Sequence, residues 1–566
     1  MAALILAFVA VVLRCAGAAR PNVVLLVFDD LGWADVGYHG GNFPTPNIDR
    51  LASDGVKLER MYVMPQCSPT RAAIMTGRYS FRTGLQHFET IMPGSSPGLP
   101  DDSKTLAQVF QDAGYATHMI GKWHLGYSMW SQSPLGKGFD TFYGYMQGQV
   151  DYYNRTIPTC GPNLCVYPLN RPFSSKFGPA ADGYDFWDGR TPVTEDFGKY
   201  TVDKYEARLD EVLCPYGGTS PPSKPFFLYF AEQQVHIPLQ APPDARHMEA
   251  CSGVVGGTRS VNRTVLCSMA SRLDESVGRL EALLKKNGVW NETLIFAVAD
   301  NGGMTQWSPD WPASASSNWP LRGGKTTLFE GGVRVPAFLS GGALPTAARG
   351  RTSEQLLHAT DILPTLAGFA GIPVPSRHDG VDAWSAVVHG GTPCRTEIPL
   401  NIGRNPLGGL PWLVTRLAHD GATNYSALIS WPWKVLVGAP YIEFGTLLPT
   451  RAKESRRDGY WGVEPYNYTA PDEDLDLPVR LYNLEQDEAE HHNLANSSEY
   501  QVVLKKLVSR VEWYASKDNG WVQPQSNVPW QRANPMFHSW TWAPFRSGPA
   551  DTLDEVEASE DVAVVV

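Results

Sequence analysis

Short, uninterrupted apolar runs recur along the first half of the chain and predict the strands of a buried sheet. The run Val23–Phe28 is rich in Val and Leu, and Asp29 and Asp30 follow it directly. Comparable runs span Ala116–Ile120, Phe226–Ala231 and Leu294–Ala299. Because these runs are apolar at nearly every position, they indicate strands covered on both faces, as in parallel sheets.

Segments with helical spacing alternate with these runs. Thr45-Pro46-Asn47 has the features of a helix start, since proline is favoured in the first turn. Leu106–Ala113 predicts a second helix, and Ser268–Lys285 predicts a third with apolar residues three or four positions apart. The alternation of strands and helices predicts an α/β fold around one large sheet.

The pattern changes near residue 400 and indicates a second, smaller domain. Ile429–Val437 and Val479–Leu484 predict strands, and Val502–Tyr514 predicts an amphipathic helix that packs on them. We therefore predict a large α/β domain at 21–400, a smaller C-terminal α+β domain at 401–545, and a frayed tail at 546–566.

The first 20 residues have the pattern of a signal peptide. Their apolar run from Ala2 to Leu13 is too short to span a bilayer, and the small residues Ala16-Gly17-Ala18 fit a cleavage site. An uncleaved anchor is the alternative reading. After cleavage we expect no membrane association. Six glycosylation sequons agree with a secretory glycoprotein, at Asn154, Asn262, Asn291, Asn424, Asn467 and Asn496.

Composition excludes one class of function and points to disulfides. The formal net charge is -11 and no basic block is present, which argues against nucleic-acid binding. Of the eight cysteines, Cys15 lies in the predicted leader and Cys67 is discussed below. The other six predict disulfides in an oxidising compartment, with Cys160–Cys165 as the one local pairing, and they are Cys160, Cys165, Cys214, Cys251, Cys267 and Cys394.

Two of the predicted strands end in oxygen-bearing side chains. Asp29 and Asp30 follow the first, and Asp300 and Asn301 follow Leu294–Ala299. Ligands bind at the carboxyl ends of strands in open α/β sheets, and carboxylate and amide oxygens suit Ca²⁺ or Mg²⁺ better than zinc. The alternative is that each pair only begins a turn.

A candidate nucleophile lies in residues 66–79, QCSPTRAAIMTGRY, where proline and arginine follow Cys67 at positions +2 and +4. Further blocks follow the same order as in a known family: DDLGWADVGYHG (29–40), TGRYSFRTGLQH (76–87), THMIGKWHLGY (117–127), VHIPLQ (235–240), DNGG (300–303) and WPLRGGKTTLFEGGVR (319–334). Over most of residues 21–400 the chain resembles the sulfatase family, and within it the arylsulfatase B-like group. Residues 480–495 are weakly similar to the family's C-terminal motif.

The resemblance implies a fold and a nucleophile. The fold would be alkaline phosphatase-like, with a large mixed sheet flanked by helices. Cys67 would be oxidised to formylglycine by the formylglycine-generating enzyme of the secretory pathway. One hydroxyl of the hydrated aldehyde would attack sulfur and displace the alcohol. The second would lose its proton, so that the C–O bond breaks, sulfate leaves and the aldehyde reforms.

The resemblance also implies a role for each remaining site residue. Arg71 would orient the formylglycine, His124 would hold one of its hydroxyls, and Lys122, His236 and Lys325 would contact the sulfate. Either His236 or Lys325 would protonate the leaving oxygen. One calcium ion would be bound by Asp29, Asp30, Asp300, Asn301 and the group derived from Cys67.

The expected activity is therefore hydrolysis of a sulfate monoester, on a sulfated saccharide or an aryl sulfate, in a lysosomal or extracellular enzyme. A phosphatase or phosphodiesterase of the alkaline phosphatase-like superfamily is one alternative, and zinc in place of calcium would favour it. A catalytically inert binding protein on the same scaffold is another, and an unmodified Cys67 would favour that.

Overall fold

The computed structural model describes residues 20–86, 91, 93–157, 183–195, 197–252, 261–305, 315–403, 426–438, 477–523, 525, 538–539, 541 and 543–546. The predicted signal peptide, except for its last residue, and almost all of the predicted tail lie outside these ranges. Cys160 and Cys165 also lie outside them, so the predicted pairing of these two cysteines stays a prediction.

A ten-stranded mixed sheet forms the main part of the molecule. From one edge to the other its strands are Arg351–Ser353, Val56–Leu58, Ala337–Ser340, Thr293–Ala299, Asn22–Phe28, Phe226–Ala231, Ala116–Lys122, Thr141–Tyr145, Trp187–Asp188 and Thr191–Pro192. The five strands from Thr293–Ala299 to Thr141–Tyr145 are parallel, and antiparallel strands flank them on both sides. The four apolar runs thus form neighbouring strands, as predicted.

The register of the parallel strands brings their carboxyl ends to one edge. Phe28 lies opposite Ala299, and Ala231 lies opposite Gly121. Gly121 has a φ of 105°, and a Cβ there would lie 1.8 Å from the Ala231 carbonyl oxygen, so only glycine fits this close approach. The residues that follow these strands therefore share one edge of the sheet.

Helices flank the sheet, with bounds close to those predicted. The predicted helix Ser268–Lys285 is observed as Val261–Lys286, and its apolar positions are buried in the main core. The α-helices are Pro46–Asp54, Cys67–Thr76, Leu106–Asp112, Thr201–Leu213, Ala245–Ser252, Val261–Lys286, Glu330–Val333, Ile362–Phe369, Trp384–His389 and Gln501–Tyr514.

A four-stranded antiparallel sheet forms the smaller unit, from Glu397–Asn401, Ser426–Ser430, Trp433–Val437 and Val479–Asn483. Helix Gln501–Tyr514 packs on it through Leu507 and Val511. The prediction of one strand at 429–437 was wrong, because the chain turns at Trp431-Pro432 and forms a hairpin. The predicted domain boundary at residue 400 lies within the first strand, and the domain limits stay predictions.

Two further pairs of short strands lie outside these sheets. They are Met61–Tyr62 with Leu357–His358, and Thr156–Ile157 with Gly183–Tyr184. In the described part of the chain no helix combines the length and apolar character needed to cross a bilayer.

A disulfide joins Cys251 to Cys267, which confirms the predicted disulfide bonding for these two of the six cysteines. Cys67, Cys214 and Cys394 are free thiols, so the prediction that Cys214 and Cys394 form disulfides is not met. Among the sequons, Asn154, Asn291 and Asn496 are exposed and Asn262 is half-buried. Asn424 and Asn467 lie outside the described residues.

Candidate active site

Cys67 is the first residue of a buried helix. All ten residues of helix Cys67–Thr76 are buried, and Gln66 before it is extended. Thr70 fixes this start, because its Oγ1 accepts from the Met64 N–H at 2.9 Å and donates to the Met64 carbonyl at 3.1 Å. The helix N-terminus carries partial positive charge, which favours an anion beside Cys67.

Two buried lysines hold the aspartates that follow the first strand. Lys122 Nζ lies 3.0 and 2.8 Å from the carboxylate oxygens of Asp29. Lys325 Nζ lies 2.6 and 2.8 Å from those of Asp30. Burial raises the pKa of Asp29 to about 7, with Lys122 opposing it. Burial would also raise the pKa of Asp30, but Lys325 and His236 outweigh it and hold that pKa well below its usual range.

The same lysines act on the thiol. Burial by itself would raise the pKa of Cys67, but Lys122 and then Lys325 outweigh burial, and the net effect lowers that pKa. An anionic group at this position is therefore favoured by two cations and by the helix N-terminus.

Arg71 connects the second acidic strand end to the first. Its Nε and one terminal nitrogen lie 2.9 and 2.8 Å from Asp300 Oδ2, and its other terminal nitrogen donates to the Lys122 carbonyl at 3.0 Å. Asn301 Nδ2 donates to Asp30 Oδ1 at 2.7 Å, whereas the buried Asn301 Oδ1 has no hydrogen-bond partner. Arg71 thus contacts Asp300 Oδ2, and the side-chain oxygen of Asn301 has no hydrogen-bond partner.

The two predicted histidines occupy different positions. A ring nitrogen of His236 lies within 4.8 Å of Cys67 Sγ, its Nε2 lies 3.7 Å from Asp30 Oδ2, and its Nδ1 lies 2.9 Å from the Ile237 carbonyl. His124 Nε2 lies 3.0 Å from the Ile91 carbonyl, and its buried Nδ1 has no partner. Burial lowers the pKa of both rings, and nearby lysines lower it further.

The structure brings all ten predicted site residues to one edge of the sheet, and four of them form a possible metal centre. Ligand atoms of Asp29, Asp30, Cys67 and His236 all lie within 4.8 Å of one another. The resemblance implied that His236 contacts the sulfate and is a candidate for protonating the leaving oxygen, but its place in this group was not predicted. Asp30 and His124 have φ values of 60° and 57°, an uncommon backbone conformation that is enriched at functional sites.

One contact to the site residues was missed. The Tyr229 hydroxyl lies 3.4 Å from an Arg71 terminal nitrogen. Tyr229 lies in the strand Phe226–Ala231, whose remaining residues are all apolar. Its hydroxyl is therefore the only feature of the sequence that indicates a polar contact from this strand.

The ten-stranded mixed sheet flanked by helices, with a buried acidic and basic cluster at its carboxyl edge, has the alkaline phosphatase-like α/β fold. Among solved structures, the chain aligns with Ps i-CgsB over 89% of its length and 94% of that chain, at 27% identity and a TM-score of 0.66. The phosphonate monoester hydrolase of Agrobacterium radiobacter shares the fold at 18% identity and a TM-score of 0.54.

The chain belongs to the sulfatase family, since residues 21–372 match the family model described as Sulfatase. It is 34% identical to arylsulfatase J of Mus musculus, over 94% of this chain and 81% of the relative. It is 30% identical to the N-acetylgalactosamine-6-sulfatase of Sus scrofa, over 92% and 90%. The chain is thus a sulfuric ester hydrolase. The narrower resemblance to the arylsulfatase B-like group stays a prediction.

Proposed function

We propose that this enzyme hydrolyses sulfate monoesters of saccharides or aryl alcohols through a formylglycine made from Cys67, with one bound calcium ion. The observation that carries the proposal is the position of Cys67, at a buried helix start with its Sγ within 4.8 Å of ligand atoms of Asp29, Asp30 and His236. A thiol adduct with sulfate would have no easy exit, whereas an aldehyde hydrate supplies one hydroxyl for attack and a second for release.

The donor set fits a hard divalent cation. The buried Asn301 Oδ1 lacks a partner, and a half-turn of this amide would bring that oxygen to the position 2.7 Å from Asp30 Oδ1 that its nitrogen now holds. Two oxygens so close favour a cation between them. Asp29, Asp30, Asp300, Asn301 and the Cys67-derived group would hold calcium, which would lower the pKa of the nucleophilic hydroxyl.

The balance of charge also favours a cation together with an anionic substrate. Three buried carboxylates are matched by three buried cations in pairs at 2.6 to 3.0 Å. A divalent cation adds two positive charges, and a sulfate monoester with an ionised nucleophile would offset them. Lys122 and Lys325 would then turn from the aspartates to the sulfate oxygens, where negative charge develops in the transition state.

The histidine contacts assign donors and acceptors. His124 Nε2 must carry the proton that faces the Ile91 carbonyl, so Nδ1 of the neutral ring is an acceptor for a formylglycine hydroxyl. His236 Nδ1 likewise donates to the Ile237 carbonyl, which leaves Nε2 to face Cys67 and the substrate. Protonation of the leaving oxygen falls to Lys325, or to His236 when its ring carries a second proton at Nε2. Arg71, held by Asp300, would keep the formylglycine oriented.

Maturation and location follow from the nucleophile. Conversion of Cys67 requires the formylglycine-generating enzyme, so the chain must pass through the secretory pathway. The disulfide Cys251–Cys267 is consistent with that route. We propose a lysosomal or extracellular enzyme.

Substitution of Cys67 tests the proposal. We expect the wild-type peptide that contains residue 67 to be about 18 Da lighter than the thiol form by mass spectrometry. Cys67→Ala should lower desulfation of an aryl sulfate at least ~1,000-fold, because the nucleophile is lost. Cys214→Ala is the control, since Cys214 is an exposed thiol.

Metal removal tests the cation separately. Dialysis against a chelator should abolish activity, and calcium should restore it whereas zinc should not. An active Cys67→Ala variant, or an unmodified thiol in secreted and fully active enzyme, would refute the formylglycine. Recovery with zinc alone would favour a phosphatase-type site instead.

A further inference from the structure

The segment after strand Thr141–Tyr145 borders the site. Tyr145 lies opposite Lys122 in the parallel pair, and the His124 N–H donates to the Met146 carbonyl at 3.0 Å. A Cβ at Gly148 would lie 2.7 Å from the His124 ring, so the segment packs directly on that histidine. Residues paired in parallel strands carry side chains on the same face, which places Tyr145 on the Lys122 side.

Side chains of this segment carry buried polar atoms without partners. Both amide atoms of Gln147 are buried and make no hydrogen bond, and the side chain is only 2% exposed. Gln149 Oε1 and the Tyr145 hydroxyl are also buried and unpaired. Native proteins satisfy most buried polar groups, so a cluster of unsatisfied ones beside an active site indicates groups kept for a ligand.

The backbone of the segment is held firmly. Asp185 Oδ2 accepts a hydrogen bond from the Met146 N–H at 3.1 Å and one from the Gln147 N–H at 2.9 Å. Gln233 Nε2 donates to the Val150 carbonyl at 2.5 Å, and the Tyr152 hydroxyl lies 2.9 Å from the His236 carbonyl. The unpaired amides therefore stand on a fixed segment that packs on His124 and is tied to the His236 loop, beside the proposed catalytic residues.

We propose that Gln147, assisted by Gln149, binds hydroxyl groups of a sugar and so makes the enzyme selective for sulfated saccharides over aryl sulfates. The inference rests on the proposed sulfate ester hydrolysis. A primary amide both donates and accepts, so it can pair with the hydroxyls that neighbour a sulfate on a pyranose ring. The aryl group of an aryl sulfate such as 4-nitrophenyl sulfate presents no hydroxyl to such an amide.

Gln147→Met tests the inference, because methionine keeps the length of the side chain and removes its hydrogen-bonding atoms. The probes are N-acetylgalactosamine 4-sulfate, N-acetylgalactosamine 6-sulfate and 4-nitrophenyl sulfate. For the saccharide that the wild type cleaves best, we expect kcat/KM to fall about 10- to 100-fold. For the aryl sulfate it should change less than about threefold. The melting temperature of the free variant should stay equal or rise, since unpaired buried groups are removed.

Gln132→Met is the matched control. Gln132 is buried, but its Oε1 accepts from Ser128 Oγ at 2.7 Å, so this variant should lose stability and should not discriminate between the substrates. Gln149→Met is a second test should Gln147→Met not fold, with the same direction of effect on the saccharide.

The outcomes separate this inference from the proposed function. A wild-type enzyme inactive on all three probes would refute both. An active wild type would overturn the inference alone in any of three cases: Gln147→Met lowers both activities equally, it changes neither, or the wild type cleaves only the aryl sulfate.

Discussion

Glu232, directly after the central strand Phe226–Ala231, is a single residue whose ionisation depends on folding. It is fully buried, Ser276 Oγ donates to its Oε1 at 2.6 Å, and its Oε2 has no hydrogen-bond partner. Burial raises its pKa to about 7, and the hydrogen bond from Ser276 only partly opposes this. The unfolded chain ionises this group near pH 4.5, so folding takes up a proton between these two values.

Glu232→Gln should remove that dependence on pH. In the wild type, the contribution of Glu232 to stability is greatest below about pH 4.5, declines as pH rises to about 7, and is constant above. The variant should match the wild type near pH 4.5 and exceed its free energy of unfolding by up to about 3 kcal/mol at pH 8. Urea unfolding across pH 4.5 to 8 measures the difference.

Glu249→Gln on the exposed side of helix Ala245–Ser252 is the control for that series, because it makes the same replacement at a position that folding leaves exposed. A Glu232→Gln curve parallel to that of the wild type over the whole range would show that Glu232 is ionised in the folded protein and would contradict the prediction.

At the residue scale, the sequence predicted which side chains lie together at the site, but not which of them form ion pairs or hydrogen bonds with one another. Asp29 and Asp300 could be predicted because parallel strands end at one edge. The contact of Lys122 with Asp29 spans 93 residues, and it depends on the register between strands, which local pattern does not specify. The unpaired amide of Gln147 was likewise not visible, since burial and hydrogen bonding exist only in the folded chain.

At the scale of elements, the disulfide Cys251–Cys267 joins the end of helix Ala245–Ser252 to the beginning of helix Val261–Lys286. Both sulfurs are buried, and the two cysteines are 16 residues apart. Cross-linking such a loop lowers the entropy of the unfolded chain, and for this length the stabilisation is about 3 kcal/mol.

The double variant Cys251→Ala/Cys267→Ala should therefore lose about 3 kcal/mol of unfolding free energy. Denaturant titration of both proteins, with and without a reductant, measures the loss. The reductant should destabilise the wild type by more than the variant, which retains the predicted Cys160–Cys165 bridge. Equal unfolding midpoints for the two oxidised proteins would show that the bridge contributes nothing.

Elements were predictable where the pattern was long and regular. Four of the five parallel strands and the helix Gln501–Tyr514 were predicted to within a few residues, whereas strand Thr141–Tyr145 was not predicted. Strand Ala337–Ser340 was not predicted, because it is a four-residue run whose antiparallel pairing comes from its neighbours. The hairpin at Trp431-Pro432 was missed because the flanking residues are apolar on both sides, and only the proline marked the turn.

At the scale of the whole molecule, a buried ionic cluster links the small sheet to the catalytic region. Lys434 Nζ, from strand Trp433–Val437, lies 2.8 Å from Glu330 and 2.9 Å from Glu490, and all three side chains are fully buried. Glu330 begins helix Glu330–Val333, whose Gly332 carbonyl accepts from the Gly302 N–H at 3.0 Å, one residue after Asn301. The cluster thus supports the loop that follows the proposed calcium ligands. Lys434 is more than 50 residues away from each of its two partners in the sequence, so the hydrophobic pattern could not predict these contacts.

Lys434→Met should destabilise the protein by about 3–5 kcal/mol, because two carboxylates would be left buried without their cation. Lys505→Met, on the exposed face of helix Gln501–Tyr514, is the matched control and should stay within about 0.5 kcal/mol of wild type. Burial raises the pKa of Glu490 to about 7 even with Lys434 present, so without Lys434 this carboxyl is destabilising in its buried site at pH 7.5. Adding Glu490→Gln to Lys434→Met should therefore recover part of the loss, with a coupling of about 1–3 kcal/mol in the double-mutant cycle. Urea titration at pH 7.5 measures the unfolding free energies of the wild type, the two single variants and the double variant. Additive effects, or a Lys434→Met variant as stable as Lys505→Met, would mean that the two sheets are held together by apolar packing alone.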